Sequence, residues 1–308
     1  MATGRCPPSS DEQFTRGRFS GKVAIVTGGA SGIGETTVRR FLNDGAAVAI
    51  FDINDKLGKE LETSLKSSGH EVVFYSVDVS DRDQCIQAVD RVASDLGRVN
   101  CLCNNAAYFG AKGVDARKED WDKTMAVNVQ GYSNMVQACL PHMKKNGSGH
   151  RAVVNVASIS AYVAQPFHWT YSSSKGAIVS LTKCMALDLA VDGIRVNSVS
   201  PAWTYTPEVR RADILANNTG AWRVCAVEME VAKAAVEDRT KWEPLWGKFH
   251  MLCRMGEPKE VAAAITYLCS SDASFITSVD LPVDGGYLGM SAEGLGENSK
   301  FAGTEQKH

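Results

Sequence analysis

Three side chains near the middle of the 308-residue sequence have types and spacing suited to proton chemistry: Ser158 at the end of an apolar run, then Tyr171 and Lys175 four residues apart. A free tyrosine titrates near pH 10 and is a poor base at neutral pH unless a cation stabilises its phenolate. Positions four apart on a helix share one face, so Lys175 can bring its charge to Tyr171. Tyr171 would then act as general base when an alcohol is oxidised and as general acid when a carbonyl is reduced, with Ser158 hydrogen-bonding the substrate oxygen. Tyr-x-x-x-Lys also describes an ordinary solvated helix face. Ser158, thirteen residues upstream of Tyr171 at a strand end, favours the reaction centre.

A second group of residues suits a nucleotide. Gly28-Gly29-Ala30-Ser31-Gly32-Ile33-Gly34 follows the apolar run Lys22 to Thr27 and opens a helical pattern through Phe41. Such a turn lets the backbone approach a pyrophosphate, whose charge is held by free N–H groups and the positive helix end. The spacing is Gly28-x-x-x-Gly32-x-Gly34 rather than the usual Gly-x-Gly-x-x-Gly, and a tight turn with no ligand would use the same glycines. Asp52, eighteen residues after Gly34 at the end of the next apolar run, tips the reading towards a nucleotide. Its carboxylate can accept from both ribose hydroxyls and would repel a 2′-phosphate, and no Arg or Lys lies between Gly28 and Gly34 to hold one. NAD rather than NADP is expected, with Ser31, Ile33 and Ile53 counted among its binding residues.

The elements that must position these groups follow from apolar periodicity. Strand-length apolar runs at 22–27, 47–51, 72–77, 99–103, 152–157, 196–199 and 279–283 alternate with helical patterns at 55–68, 82–96, 121–140, 171–190 and 258–270. That alternation predicts an α/β fold: a doubly wound parallel seven-stranded sheet with helices on both faces, in a single domain over 21–287. Residues 1–20 read as a loose extension, 288–308 as a polar tail, and about 203–250 as an insertion acting as a substrate lid, with an amphipathic helix at 221–239.

Composition narrows the partners. A formal net charge of -2 with scattered basic residues argues against nucleic acid. No apolar run reaches the roughly 18 residues needed to span a bilayer, and the N-terminus lacks a basic-then-apolar order, so a soluble cytoplasmic protein with a small-molecule substrate and no membrane partner is expected. The nine cysteines include Cys85, Cys139, Cys184 and Cys269 inside apolar segments. They read as reduced thiols, with Cys101 and Cys103 on one strand face and without the second Cys/His pair a zinc site requires; no metal is expected.

In this order and spacing, the residues from about 20 to 287 resemble the short-chain dehydrogenase/reductase family nearly end to end. The matching pieces are Thr27-Gly28-x-x-x-Gly32-x-Gly34, Asp78-Val79, Asn104-Asn105-Ala106-Ala107, Asn128, Ser158, Tyr171-x-x-x-Lys175, Asn197-x-Val199-x-Pro201, Thr206-Pro207 and Asp284-Gly285-Gly286. The resemblance implies a Rossmann-type sheet, a nicotinamide cofactor, and interconversion of a secondary alcohol and a ketone. It implies that Asp78 and Val79 hold the adenine, and that Asn105, Ala106 and Ala107 line the adenosine side. Pro201, Thr204 and Thr206 would flank the nicotinamide, and Asn128 would hold a water that passes the proton on from Lys175. Asn128 is also readable as a plain surface polar position. Ala107, Ala202 and Ser278 stand where the family usually has glycine. Family members commonly form homodimers or homotetramers through the helices at about 121–143 and 171–191.

The substrate side is less defined. Tyr162, Gln165, Phe167, His168 and Trp169, with Trp203 and Tyr205, can form an aromatic pocket for a cyclic or bulky apolar alcohol; packing of the lid accounts for the same aromatics. Gln165, Trp169 and Trp203 are the candidate substrate contacts beside Ser158. Two other functions stay open: an NADPH-dependent carbonyl reductase, disfavoured by Asp52, and a non-catalytic NAD-binding regulatory protein, disfavoured by the intact Asn128, Ser158, Tyr171 and Lys175.

Overall fold

The computed structural model describes Cys6, residues 15–146, 150–206, 243–244, 246–291 and 294. The 221–239 helix, most of the lid and tail, Pro207 and nearly all of the N-terminal extension lie outside the described residues.

Seven parallel strands form one sheet in the order β3-β2-β1-β4-β5-β6-β7. They are β1 (Val23–Thr27), β2 (Ala47–Asp52), β3 (Val72–Ser76), β4 (Cys101–Asn104), β5 (Ala152–Val156), β6 (Arg195–Pro201) and β7 (Asp280–Val283). The crossing helices are α1 (Gly32–Asn43), α2 (Asp55–Ser67), α3 (Arg82–Asp95), α4 (Lys118–Met125), α5 (Gly131–Lys145), α6 (Trp169–Leu189) and α7 (Pro258–Cys269). This is the doubly wound Rossmann-type sheet expected from the alternation. The strand order reverses between β1 and β4, and in such sheets the crevice at that reversal is where ligands bind.

The strands read as continuous apolar runs because both faces are covered. Ile25, Ala49, Leu102 and Val153 point into one core layer with Cys85, Val89, Met135, Cys139 and Met185 from α3, α5 and α6. Their neighbours Ala24, Val26, Val48, Ile50, Cys101 and Cys103 point into the other, with Val38, Phe41, Val261 and Ile265 from α1 and α7. Cys101 and Cys103 therefore share one face and are core residues. Cys184, expected in an apolar environment, is exposed on α6 instead.

The 121–140 pattern is not one regular helix. α4 runs into a π-helical turn at Ala126–Gln130, where the Gly131 N–H reaches back to the Ala126 carbonyl, before α5 resumes. Such single turns carry one extra residue and recur at functional sites. Asn128 lies in it, fully buried; it is not a surface position.

Candidate active site

The glycine turn is built by close backbone approach. Gly28 sits at φ 61°, and a Cβ there would lie 2.9 Å from the Ala106 Cα. A Cβ on Gly34 would fall 1.9 Å from the Gly28 carbonyl oxygen. No other residue fits at Gly34, and at Gly28 the left-handed backbone and the space agree. Thr27 joins the two strand ends: its Oγ1 accepts from the N–H groups of Asn105 and Ala106, both at 3.0 Å. Asn105 in turn donates from Nδ2 to the carbonyls of Thr27 at 3.2 Å and Gly28 at 3.1 Å.

Asp52 closes the far side of the turn. Its Oδ2 accepts from the Ala30 N–H at 3.0 Å and its Oδ1 from the Asn54 N–H at 2.9 Å. Gly29 donates to the Phe51 carbonyl at 3.2 Å, so the turn and the end of β2 move as a unit. Ile53 is 75% exposed beside it. At the end of β3, Asp78 is exposed and accepts from the Ser80 N–H and hydroxyl at 2.9 and 2.6 Å. Val79 is buried, its carbonyl taking the Asn134 amide at 3.0 Å. The chemistry fits a dinucleotide: a glycine turn leads directly into the N-terminus of α1, and a carboxylate stands at the next strand end.

Ser158, Tyr171 and Lys175 converge one strand further along. Ser158 follows β5, and its Oγ accepts from the Ser160 N–H at 3.1 Å. Tyr171 and Lys175 sit one turn apart on α6, with the Lys175 Nζ 5.4 Å from the centre of the Tyr171 ring. The ammonium is fully buried and donates to the Val156 carbonyl at 2.8 Å. Burial pushes the Tyr171 phenol up to about 12, with its hydrogen bond to Ser158 pulling the other way. Burial pushes Lys175 down to about 7. Low dielectric disfavours an isolated phenolate and an isolated ammonium alike, so each is the natural counter-charge of the other.

Asn128 reaches this centre through protein contacts. Its Oδ1 accepts from the Tyr108 N–H at 2.7 Å, and its Nδ2 donates to the Tyr108 carbonyl at 3.1 Å and the Ser174 Oγ at 3.0 Å. Ser174 passes the link on to the Tyr171 carbonyl at 2.7 Å. Both amide hydrogens are thus given to protein acceptors.

Other positions depart from expectation or escaped it. Phe109, not singled out in the sequence, packs edge-on against Tyr171 with ring centres 4.6 Å apart and is 49% exposed. Tyr132 donates its hydroxyl at 3.1 Å to the same Val156 carbonyl that Lys175 uses. Trp203 is packed against Trp246 with ring centres 4.1 Å apart, and its indole N–H donates to the Tyr287 hydroxyl, so it belongs to an aromatic cluster with these two residues. Tyr162 gives its hydroxyl to Asp280 at 2.9 Å and anchors its loop to β7. Trp169 opens α6 and is 56% exposed. The Thr204 hydroxyl donates to the Ala202 carbonyl at 3.0 Å, and backbone bonds between Trp203, Tyr205 and Gly256 hold this segment beyond Pro201. Thr206 is half-buried at its end.

Of the three non-glycine departures, Ala107 and Ala202 keep negative φ and cause no strain, whereas Ser278 sits at φ 67°. No group of three or more His, Cys, Asp or Glu suited to a metal occurs among the described residues. Nor is any helix among them long and apolar enough to cross a membrane.

A parallel sheet with a glycine cradle at its reversal point and a Ser-Tyr-Lys centre beside it defines a nucleotide-dependent oxidoreductase class. Residues 22–214 match the model described as short chain dehydrogenase, and 221–288 match one described as enoyl-(acyl carrier protein) reductase. The chain belongs to the short-chain dehydrogenase/reductase family, whose members use nicotinamide cofactors. It is 33% identical over 272 residues to a 3-oxoacyl-acyl-carrier-protein reductase of Thermotoga maritima, covering 88% of this chain and 99% of that protein. A cyclopentanol dehydrogenase of Comamonas sp. is 33% identical, with 88% and 98% covered, and an L-fucose dehydrogenase of Mus musculus is 32% identical, with 87% and 89% covered. Among solved structures, the ligand-free aldohexose dehydrogenase of Thermoplasma acidophilum superposes with a TM-score of 0.74 at 31% identity, covering 91% of this chain and 98% of that one.

Proposed function

We propose that the protein is an NAD-dependent dehydrogenase that interconverts a secondary alcohol and a ketone, with Tyr171 as general acid and base. The observation that carries the reading is the partnership on α6: the Tyr171 phenol, a buried ammonium one turn away, and the Ser158 hydroxyl bonded to the phenol. Gly28, Ser31, Gly32, Ile33 and Gly34 would hold the pyrophosphate, Asp52 and Ile53 the adenosine ribose, Asp78 and Val79 the adenine, Asn105 to Ala107 would line the adenosine side, and Pro201, Thr204 and Thr206 would flank the nicotinamide. When bound, the nicotinamide supplies the acceptor or donor of a hydride.

In the oxidation direction Ser158 holds the substrate hydroxyl oxygen, and the Tyr171 phenolate takes its proton. Lys175 lowers the cost of that phenolate by standing as its counter-charge. The amide of Asn128 fixes α6 and the Tyr108 loop through its bonds to Ser174 and Tyr108. Phe109, against the Tyr171 ring, supports a cyclic or bulky apolar substrate, a class also represented among the relatives by the names cyclopentanol dehydrogenase and 2,5-dichloro-2,5-cyclohexadiene-1,4-diol dehydrogenase.

A single domain over 21–287 and a homodimer or homotetramer through the long helices form part of the same reading. The latter is supported by Leu187 and Val191, 79% and 88% exposed near the end of α6. Free thiols at all eight described cysteines suit a cytoplasmic location. The test is turnover of an alcohol panel with NAD and NADP, run beside Tyr171→Phe. Loss of turnover with NAD binding retained supports catalysis through Tyr171. Turnover that survives the change, NAD binding without turnover in the wild type, or a preference for small charged polyols overturns the reading.

A further inference from the structure

Ser158 does not stand alone beside Tyr171. Its Oγ donates to the Ser160 Oγ at 3.1 Å, and Ser160 donates to the Gln165 Oε1 at 2.5 Å, so a line of three polar groups runs from the centre into the loop before α6. Ser160 is only 6% exposed, while Gln165 is half-buried. A hydroxyl has one hydrogen. Ser158 gives it to Ser160 here, and the proposed reaction requires it for the reacting oxygen of the substrate. Once Ser158 turns, the Ser160 oxygen keeps its bond to Gln165 but loses the hydrogen it accepts, which leaves an acceptor site open at a buried position. The hydrogen best placed to replace it is on a substrate hydroxyl adjacent to the reacting one, because neighbouring oxygens on a carbon ring are separated by about the length of one hydrogen bond. The Gln165 amide carries two N–H donors beside its occupied carbonyl, and one of these can be given to the same substrate oxygen. Phe109 lies edge-on against Tyr171 and is half exposed, an apolar surface beside the same centre.

We propose that Ser160 and Gln165 form a subsite for a second oxygen, and that the substrate is a cyclic vicinal diol, or the corresponding α-hydroxyketone, with its ring against Phe109. This rests on the dehydrogenase reading and deepens it. In the oxidation the diol loses one hydride and one hydroxyl proton at the carbon held by Ser158; the second oxygen keeps its hydrogen and is recognised without reacting.

The test compares cis-cyclohexane-1,2-diol with cyclohexanol in two ways: kcat/KM with NAD, and equilibrium binding to the protein with NADH, where no turnover can occur, by calorimetry. The variants are Gln165→Leu and Gln165→Glu, the second of which keeps an acceptor for Ser160 and removes the N–H donors. The wild type should favour the diol by about tenfold in both measurements, the value of one good hydrogen bond, and both variants, which lose the N–H donors, should lower that ratio. Equal handling of the two compounds by the wild type overturns the proposal. So does a ratio that persists in folded variants, which would make the polar line a loop staple only. Oxidation of both compounds without preference sinks the subsite and leaves the dehydrogenase reading standing. Preferential binding of the diol without oxidation supports the subsite and sinks that reading, and neither binding nor oxidation sinks both.

Discussion

Lys175 and Tyr132 converge on one acceptor, the Val156 carbonyl at the end of β5, at 2.8 and 3.1 Å. A strand end thus fixes the ammonium that the reaction centre requires, and does so among apolar neighbours that resist its charge.

That burial gives a pH signature. With Lys175 held at about 7 in the folded protein and at its ordinary 10.5 when unfolded, the unfolded chain binds the extra proton between those values. Stability contributed by this site therefore rises with pH across that window, by up to about 1.4 kcal/mol per unit, and is lost as pH falls towards 7. Denaturant unfolding of the wild type and Lys175→Met between pH 7 and 10 checks it. The wild-type value minus that of the variant should climb; a flat difference would falsify the assignment.

Asn128→Ala should unsettle two segments together. It strips partners from the Tyr108 N–H and carbonyl and from Ser174, at a cost of about 1–3 kcal/mol. Because Phe109 and Tyr171 are next to those partners, kcat/KM should drop with stability, and hydrogen exchange should quicken at Tyr108 before it does in β1. Unchanged exchange there would count against the clamp.

Replacing Asp52 by Ala together with Ile53→Arg should reverse nucleotide preference. The carboxylate that ties the Ala30 N–H would be gone and a cation would stand where a 2′-phosphate lies. Loss of hydrogen bonds to a charged group predicts NAD binding weaker by about ten- to a hundredfold with NADP gaining, measured by nucleotide fluorescence titration. Identical ratios in variant and wild type would remove Asp52 from the nucleotide site.

Ser278→Gly should stabilise the protein. The backbone at φ 67° is one that glycine adopts freely and serine does not. After allowance for the extra freedom glycine has when unfolded, the gain is about 0.5–1 kcal/mol, visible as a melting point higher by about 1–3 °C. A lower melting point would show that the serine hydroxyl contributes more than the strain removes.

Much of this molecule is written in local pattern. Runs such as Val23–Thr27 and Ala47–Asp52 are apolar on both faces because helices cover both sides of the sheet, and that alone discloses the doubly wound order. Gly28, Gly34 and Asp52 were legible because close approach and charge leave few choices of residue. The π turn was not, since a shift in hydrogen-bond partner from four residues back to five leaves no mark in residue types; Trp121 to Leu140 keeps an acceptable helical spacing through it. Phe109 escaped because a loop residue has no periodicity, and its partner Tyr171 is sixty-two positions away in sequence. Trp203 was legible as an aromatic but not as a packed one, since only the fold brings Trp246 against it.

The extra residue in the π turn has a consequence for how this chain can fail. A π turn absorbs one residue while keeping the flanking helices in phase, so α4 and α5 face the core as two halves of one ordinary helix would. Deleting a single residue between Ala126 and Gln130 would therefore leave Tyr132, Met135 and Cys139 in register with the sheet. Such a deletion would keep the core packing, yet it would withdraw the Asn128 amide from Tyr108 and Ser174 and lose the stability that this clamp contributes. The extra residue therefore serves the link between α6 and the Tyr108 loop rather than the packing of the sheet, and a shortened chain would keep its core while loosening the two segments that flank Tyr171.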